Sequence, residues 1–128
     1  MPAEIGRLRR RWEFLRVARG RRKWAAPGLV LQVRESAGSD APVRVGFTAS
    51  RKVGGSVERN RAKRRLREVV RAVMPELAAP GYDYVVIARG QTLTREFTAL
   101  KDDMRAALAR LRVRRTDVGN PRRNGEVG

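Results

Sequence analysis

The sequence contains no cysteine and no histidine, and only 13 of its 128 residues are Asp or Glu. Without cysteine there is no disulfide scaffold and no thiolate nucleophile, and without histidine there is no imidazole for general acid–base chemistry. A nuclease that holds magnesium needs clustered carboxylates. The one adjacent acidic pair, Asp102-Asp103, lies between Lys101 and Arg105 in a helical pattern. We therefore expect no catalytic residue, no metal site and no cofactor in the chain itself.

Long hydrophobic runs are missing as well. No stretch approaches the roughly 20 apolar residues that a membrane-spanning helix needs. The first residues, MPAEIGRLRRRWEF, lack the apolar segment of a signal peptide. The absence of cysteine also fits the reducing cytosol. These features predict a cytoplasmic protein without a membrane partner.

The chain carries a large excess of positive over negative charge. Lys and Arg number 30, the formal net charge is +17 and the sequence pI is about 11.8. Such an excess repels itself in a compact fold, and a polyanionic partner relieves that repulsion. The cations fall in three blocks, at residues 7–23, 51–71 and 105–123, instead of on one amphipathic helix with aromatic residues opposite. This distribution favours nucleic acid over a membrane surface.

Residues 50–71 combine the densest positive charge with an apolar stripe. Apolar residues recur at i, i+4, i+7, i+8 and i+11, which predicts one buried face of an α-helix: Ala62, Leu66, Val69, Val70 and Val73. The opposite side carries Asn60, Arg61, Arg64 and Arg71, with Lys63, Arg65 and Arg67 on the flanks. Before the helix, Gly54-Gly55 predicts a tight turn, Ser56 an N-cap and Glu58 a favourable charge in the first turn.

Alternation and turn residues predict the other elements. A helix from about Leu8 ends at Gly20, an edge strand covers residues 21–26, and a strand covers residues 29–34. In residues 43–50, Val43, Val45, Phe47 and Ala49 face a core, while Arg44, Gly46, Thr48 and Ser50 face a ligand. Pro75 and Pro80-Gly81 break the chain before a buried central strand at residues 82–88. Thr94 caps a last helix with an apolar stripe made of Phe97, Leu100, Met104, Leu108 and Leu111.

The predicted organisation is one domain flanked by disordered ends. Residues 1–6 form a disordered N-terminus, residues 7–113 form a single RNA-binding domain, and residues 114–128 form a disordered basic tail with too little apolar content to fold. The strand, basic helix and following strand read as a βαβ unit, for which the general rule predicts a right-handed crossover.

Several motifs, in their order along the chain, resemble the protein subunit of bacterial ribonuclease P. The central motif is Arg59-Asn60-Arg61 followed by Lys63-Arg64 and Arg67, and it is preceded by Val45-Gly46-Phe47 and Ser50-Arg51-Lys52-Val53-Gly54. Further matches are Arg7-Leu8, Phe14, Val17, Gly20 and the run Asp83-Tyr84-Val85-Val86-Ile87-Ala88-Arg89. An Arg-Asn-Arg tripeptide alone is weak evidence in so arginine-rich a chain. The ordered set, which covers about residues 7–111, is specific.

The resemblance implies a fold and a function. The fold is α+β, a two-layer sandwich of order αβββαβα with a small mixed sheet and a left-handed βαβ crossover, of the ribosomal protein S5 domain 2-like type. The function is to assist a catalytic RNA in removing the 5′ leader from precursor tRNA, with magnesium ions at the RNA active site. The implied partners are ribonuclease P RNA and precursor tRNA, and no DNA is expected.

The resemblance also implies two sites. The expected residues for binding the catalytic RNA are Arg51, Lys52, Arg59, Asn60, Arg61, Lys63, Arg64 and Arg67. The expected leader-binding cleft between the first helix and the sheet contains Arg10, Arg11, Phe14, Arg16, Gln32, Arg44, Thr48 and Ser50. Ala18 and Gln32 stand where relatives often carry aromatic residues, a loss for which Trp12 and Trp24 are candidates to compensate.

Three alternatives remain open at this point. Phe14 is either a stacking residue or a core anchor of the first helix. Asn60 either touches RNA or bonds to the backbone near the helix start. The whole chain is either the ribonuclease P subunit or a ribosomal-protein-like binder of structured RNA without a processing role, and only the subunit requires a second, single-strand site.

Overall fold

Residues 4–38 and 40–118, described by a computed structural model, form a five-stranded sheet with helices on both faces. The elements in chain order are β1 (Ile5–Arg7), α1 (Arg11–Arg19), β2 (Arg22–Ala25), β3 (Leu29–Glu35), β4 (Val43–Thr48), α2 (Ser56–Leu77), β5 (Tyr82–Ala88), a 3-10 turn (Gly90–Leu93), α3 (Phe97–Arg110) and α4 (Arg115–Val118). The strand order is β1-β4-β5-β3-β2. This mixed α+β architecture agrees with the expected fold class.

Strand β5 lies in the middle of the sheet, as the apolar run at residues 82–88 predicts. It pairs parallel with β4 and antiparallel with β3, so that Val85 sits between Gly46 and Gln32. Strand β2 forms one edge by antiparallel pairing with β3, and β1 forms the other by parallel pairing with β4. Because β5 is covered on both sides, it tolerates apolar residues at successive positions.

The two sheet faces are covered by different helices. Tyr84, Val86 and Ala88 of β5 belong to the main core, which also includes the buried faces of α2 and α3. Val85 points to the other face, where it joins Leu8 and Val17 beneath α1. The sheet therefore separates a large core from a small one.

Helix α2 buries the predicted stripe, but it continues further than expected. Ala62, Leu66 and Val69 are fully buried. Pro75, which the sequence suggested as a break, lies inside the helix, which runs on to Leu77. A proline removes one backbone hydrogen bond, a loss that matters least in the last turn. There the Ala78 N–H still donates to the Met74 carbonyl at 3.0 Å.

The turn before α2 explains why the helix begins where it does. Gly54 has φ +148°, and a Cβ there would lie 2.7 Å from the Cβ of Glu58, so both backbone and space require glycine. The N-cap is Gly55, and Ser56, the predicted cap, is instead the first helical residue. The predicted Gly54-Gly55 turn is thus present, and α2 begins one residue earlier than the sequence predicted.

Both ends of the domain extend beyond the predicted limits. Ile5–Arg7, whose first two residues belong to the segment expected to be disordered, pairs with Val43, Arg44 and Val45 as an edge strand. Arg115–Val118, part of the expected disordered tail, forms a short helix. Arg115 donates to the Pro75 carbonyl at 2.8 Å, and Ala78 bridges to Arg114. Backbone pairing and a side-chain bond therefore order segments that have little apolar content. The rest of the expected tail, residues 119–128, and residues 1–3 lie outside the described residues.

Two further predicted helix starts were wrong. Helix α1 begins at Arg11, not near Leu8, because the Leu8 N–H donates to the Val45 carbonyl at 3.0 Å and continues the sheet. Helix α3 begins at Phe97, and its N-cap is Glu96 rather than Thr94, which follows the 3-10 turn. Phe97 itself is 38% exposed, so the buried stripe starts only at Leu100.

Candidate nucleic-acid interface

The outer face of α2 presents a row of polar and cationic side chains to solvent. This row, called the α2 ridge below, consists of Arg59, Asn60, Arg61, Lys63, Arg64 and Arg67. Asn60, Arg61 and Arg64 are exposed, while the other three are partly buried against the helix surface. Within residues 4–38 and 40–118, no carboxylate forms an ion pair with a cation of the ridge. Its charges are therefore available to an external polyanion.

The β4–α2 loop places two more cations beside the start of the ridge. Arg51 and Lys52 are both exposed. The loop is held by its own backbone, since the Val53 N–H donates to the Ser50 carbonyl at 3.0 Å and the Gly54 N–H to the Arg51 carbonyl at 3.2 Å. The Ser50 hydroxyl accepts from the Lys52 N–H at 3.3 Å. Ser50, expected in the cleft, thus shapes the loop that carries Arg51 and Lys52.

Arg65 differs from its neighbours on α2 because it serves the fold. Its guanidinium donates to the backbone carbonyls of Thr92, Leu93 and Arg95 at 3.0, 2.9 and 2.6 Å. It thereby ties the 3-10 turn and the start of α3 to α2. The sequence placed Arg65 on the flank of the helix but held no signal for these distant carbonyls.

Phe14, on α1, is packed against the sheet where the leader cleft is expected. A Cβ added to Gly46 would come within 2.4 and 2.5 Å of the Phe14 ring, so this strand position is open only to glycine. The ring packs on Leu8, Val17 and Val85, yet it remains partly exposed. Phe14 is therefore an anchor of α1, and its role as a stacking residue stays a prediction that rests on the exposed part of the ring.

Three neighbouring strands form the floor of the expected leader cleft. Thr48, Ile87 and Val30 lie side by side across β4, β5 and β3, next to the row that contains Gly46, Val85 and Gln32. Four of these floor residues are partly exposed: Val30, Gln32, Thr48 and Ile87. With strands about 4.8 Å apart, the floor is about 10 Å wide. The alternation in residues 29–35 and 82–88 would have placed Val30 and Ile87 here, although the sequence analysis did not name them.

Arg44, expected to line the cleft, is instead engaged in ion pairs beneath α1. Its guanidinium bonds to both carboxylate oxygens of Asp83, at 3.0 and 2.9 Å, and to Glu13 at 2.9 Å. The bond to Asp83 is the main cause that raises the pKa of Arg44. The backbone N–H groups of Arg10 and Arg9 donate to Glu13 and, together with Arg44, lower the pKa of this carboxyl. Arg44 thus positions α1 on the sheet.

The remaining cations expected in the cleft lie on α1 or just before it. Arg10 and Arg11 are exposed, and Arg16 is partly buried. The Arg16 carbonyl accepts a bond of 2.8 Å from Arg34, a second attachment of α1 to the sheet. Cationic side chains therefore border the cleft along α1.

The two tryptophans take different positions relative to the cleft. Trp12 on α1 is 57% exposed. Trp24 packs against the main core on the opposite sheet face, where Arg110 lies 4.4 Å above its ring. Trp24 therefore cannot replace the aromatic residues missing at Ala18 and Gln32, and Trp12 is the candidate that remains.

The adjacent acidic pair Asp102-Asp103 bonds to neighbouring residues of the fold. Asp103 is buried, accepts from the Gly28 N–H at 3.0 Å and pairs with Arg95 at 2.6 Å, while Asp102 pairs with Arg105. Residues 4–38 and 40–118 contain no group of three or more acidic side chains placed to hold a metal ion. In the same part of the chain, no helix has the length and apolarity to cross a membrane.

Comparison with known proteins identifies the same family as the motifs. The sequence matches the protein family described as Ribonuclease P over residues 3–112. The ribonuclease P protein component of Paramagnetospirillum magneticum is 55% identical over 114 residues, which cover 87% of this chain and 86% of the relative. The corresponding protein of Ruegeria pomeroyi is 50% identical over 108 residues, covering 84% of this chain and 86% of the relative.

Solved structures show the same fold. The RNase P protein from Thermotoga maritima superposes with a TM-score of 0.65 at 27% identity, covering 78% of this chain and 92% of that protein. The RNase P protein from Staphylococcus aureus gives a TM-score of 0.69 at 23% identity, with 84% and 95% covered. The match over residues 3–112 and the identities of 50% and more lead to one conclusion. The chain belongs to the ribonuclease P protein family.

Proposed function

We propose that this protein assists the catalytic RNA of ribonuclease P in the endonucleolytic removal of the 5′ leader from precursor tRNA. The observation that carries the proposal is the α2 ridge, a row of cations without carboxylate partners among the described residues, on a helix whose other face is fully packed. Family membership supplies the identity of the RNA.

The α2 ridge and the β4–α2 loop are proposed to bind the catalytic RNA. An RNA duplex hides its base edges in a deep, narrow groove, so a protein that anchors to folded RNA reads shape and phosphates. Exposed guanidinium groups such as those of Arg61 and Arg64 suit phosphate oxygens through paired hydrogen bonds. Asn60, exposed on the same face of α2, can donate to or accept from a ribose.

The cleft beside α1 is proposed to hold the single-stranded leader. Binding of single strands combines cations along the backbone with surfaces on which bases stack. Phe14 offers an aromatic edge, Ile87 and Val30 an apolar floor, and Gln32 an amide for hydrogen bonds. Arg10 and Arg11 supply charge along one wall. Such a second site goes beyond what a ribosomal-protein-like RNA binder requires.

Chemistry is proposed to remain with the RNA and its magnesium ions, and the chain is proposed to contribute no catalytic residue and no cofactor site. The carboxylates of Glu13, Asp83 and Asp103 are each bonded to arginines of the fold, which leaves them poorly placed to receive a metal. The ribonucleoprotein is thus the enzyme, an endoribonuclease of tRNA maturation. We place it in the cytoplasm, where precursor tRNA is made.

A reconstitution assay tests the proposal. The purified chain is added to a bacterial ribonuclease P RNA, and cleavage of precursor tRNA is followed at a low magnesium concentration at which the RNA alone is slow. We expect strong stimulation, because the cations of the protein replace part of the ionic screening that the RNA requires. The double variant R61A/R64A should stimulate less at the same protein concentration. No stimulation by the unchanged chain would overturn the proposed function.

A further inference from the structure

Helices α1 and α3 end at the same corner of the molecule, beside the start of β2. Arg22, the first residue of β2, donates to the Leu111 carbonyl at 2.6 Å. Arg21 directly precedes Arg22, and Arg110 and Arg112 flank Leu111. Two of the three charge blocks of the sequence therefore meet in space. We call this cluster, Arg19, Arg21, Arg22, Arg110 and Arg112, the α1–α3 corner.

Each of the two helices is followed, two residues after its end, by an arginine whose backbone is in the left-handed conformation. Arg21 has φ 62° and Arg112 has φ 60°. At the end of α3, the Arg112 N–H donates to the Ala109 carbonyl at 3.1 Å and the Val113 N–H to the Leu108 carbonyl at 3.0 Å. This arrangement usually has glycine at the position of Arg112, because a side chain there is strained. An arginine at both positions therefore points to a use for the side chains outside the fold.

The charges of the corner are exposed and oriented outward. Arg19, Arg21, Arg110 and Arg112 are exposed, and none of them pairs with a carboxylate anywhere in the described segments. The guanidinium carbon of Arg110 lies 4.4 Å from the centre of the Trp24 ring. The one acidic side chain that lines the adjoining cavity of about 310 Å³ is Glu35, which shares that cavity with Arg19, Arg22 and Arg34.

The corner is remote from the α2 ridge. Arg22 pairs with Val33 near the end of β3, next to the start of β5. Helix α2 begins after the end of β4 and runs back to that same end of the sheet, over 22 residues. The last cation of the ridge, Arg67, lies ten residues before the end of α2 at Leu77, which is about 15 Å at 1.5 Å per residue. One phosphate group cannot bridge the two surfaces, so the corner needs a contact of its own.

We propose that the α1–α3 corner binds a second stretch of RNA phosphate backbone within the ribonuclease P complex. This inference rests on the proposed function and adds a separate contact to it. The nearest aromatic rings, Trp24 and Tyr82, are partly buried and already lie under the guanidinium groups of Arg110 and Arg22. The corner therefore suits the backbone of folded RNA better than a single strand, which needs open stacking surfaces. None of the large apolar side chains that are well exposed in the described segments lies at the C-terminal ends of α1 and α3, where the corner is formed. This absence disfavours a membrane surface.

The double variant R21G/R112G tests the proposal without harming the fold. Glycine adopts the observed φ values with less strain than arginine, so the thermal unfolding midpoint should stay the same or rise. Affinity for a bacterial ribonuclease P RNA is measured across a series of KCl concentrations. If each arginine meets one phosphate, the slope of log K against log salt should fall in magnitude by about 1.4 to 1.8, which corresponds to roughly 25- to 60-fold weaker binding at 0.1 M salt. The variant R21Q/R112Q should weaken binding equally, because it also removes both charges.

Two controls separate this inference from the proposed function. R105Q removes an exposed charge of α3 outside the corner, and it should leave the slope close to that of the unchanged protein. R61A/R64A tests the α2 ridge in the same assay. If the ridge variant lowers the slope and the corner variants do not, the corner serves another polyanion, such as an acidic protein, and the inference is overturned. If neither lowers it, the proposed function fails as well.

Discussion

The two faces of the sheet are built in different ways. The face under α2 and α3 belongs to a core of 20 buried residues, whereas the face under α1 has three, Leu8, Val17 and Val85. Helix α1 is held by polar bonds instead, through the Glu13–Arg44–Asp83 ion pairs and the bond from Arg34 to the Arg16 carbonyl. Apolar burial therefore fixes one face, while directional bonds hold α1 over a surface that stays partly open.

This difference explains how a small domain can offer the two binding surfaces that we propose. Because the main core holds α2 in place through its buried face, the outer face of the helix can carry cations without carboxylate partners among the described residues. The small core leaves Val30, Ile87 and Thr48 partly exposed beside Phe14, a surface that a fully packed helix would have covered. The cations of the protein repel one another and destabilise the fold. The main core, on the sheet face opposite the proposed leader cleft, supplies the stability that offsets this repulsion.

The largest effect on stability should come from the main core. Leu66→Ala removes a fully buried side chain of α2 and should lower the free energy of unfolding by about 2–5 kcal/mol. Val17→Ala in the small core should cost about 1.5 kcal/mol, because it removes two methyl groups beside an open cleft. Urea unfolding of both variants measures the difference. Equal losses would contradict the contrast between the two faces.

Neighbouring arginines of α2 should separate stability from RNA binding. Arg65→Met removes donors to three backbone carbonyls and should lower the free energy of unfolding by about 2 kcal/mol. Because the charge of Arg65 already serves the fold, the salt slope of RNA binding should change little. Arg64→Met is the matched control on the exposed side, with a stability change within about 0.5 kcal/mol and a slope lower by about 0.7 to 0.9. A loss of stability in Arg64→Met together with a lower salt slope in Arg65→Met would contradict these two assignments.

The ion pairs under α1 predict a pH dependence. The folded state lowers the pKa of Glu13 from its usual 4.5, chiefly through the N–H groups of Arg10 and Arg9. The unfolded chain therefore binds this proton more readily, so the stabilisation is complete above about pH 4.5 and is lost as pH falls through the lower folded pKa. Glu13→Gln should lower stability at pH 7 by about 1 kcal/mol, with a smaller difference from the unchanged protein at pH 3. A constant difference across that range would exclude the proposed linkage.

The sequence predicted the parts of the fold that repeat a local pattern. The stripe of α2 and the apolar run of β5 both appear where expected, since periodicity reports burial directly. It did not predict β1, whose three residues pair with β4 through the backbone, or the helical position of Pro75. Those outcomes depend on partners that are distant along the chain.

Prediction of the site residues from the sequence is limited for the same reason. Composition and helical spacing identified the cations of the α2 ridge, because exposure follows from the position of the buried stripe. They could not distinguish Arg44 and Arg65, whose guanidiniums bond within the fold, from Arg61 and Arg64, which have no carboxylate partner in the described segments. The two kinds of arginine are alike in the sequence and differ only in the acceptors that the fold brings to them.

The smallest effect on stability is expected from substitutions of Phe14, the aromatic residue of α1 beside the proposed leader cleft. Phe14→Leu keeps an apolar side chain against Gly46, so α1 should remain docked, but it removes the aromatic surface. Phe14→Ala removes both and serves as the more severe companion. The main core is untouched in either variant, so their urea unfolding should be less perturbed than that of Leu66→Ala.

The most direct measurement of this division of labour is the affinity of the reconstituted ribonucleoprotein for precursor tRNA relative to mature tRNA. With Phe14→Leu, we expect the preference for precursor tRNA to fall by roughly tenfold, the loss of one base-stacking surface. Binding of mature tRNA and of the catalytic RNA should remain unchanged. Equal weakening of precursor and mature tRNA would contradict the account, because Phe14 would then act only as a packing residue of α1.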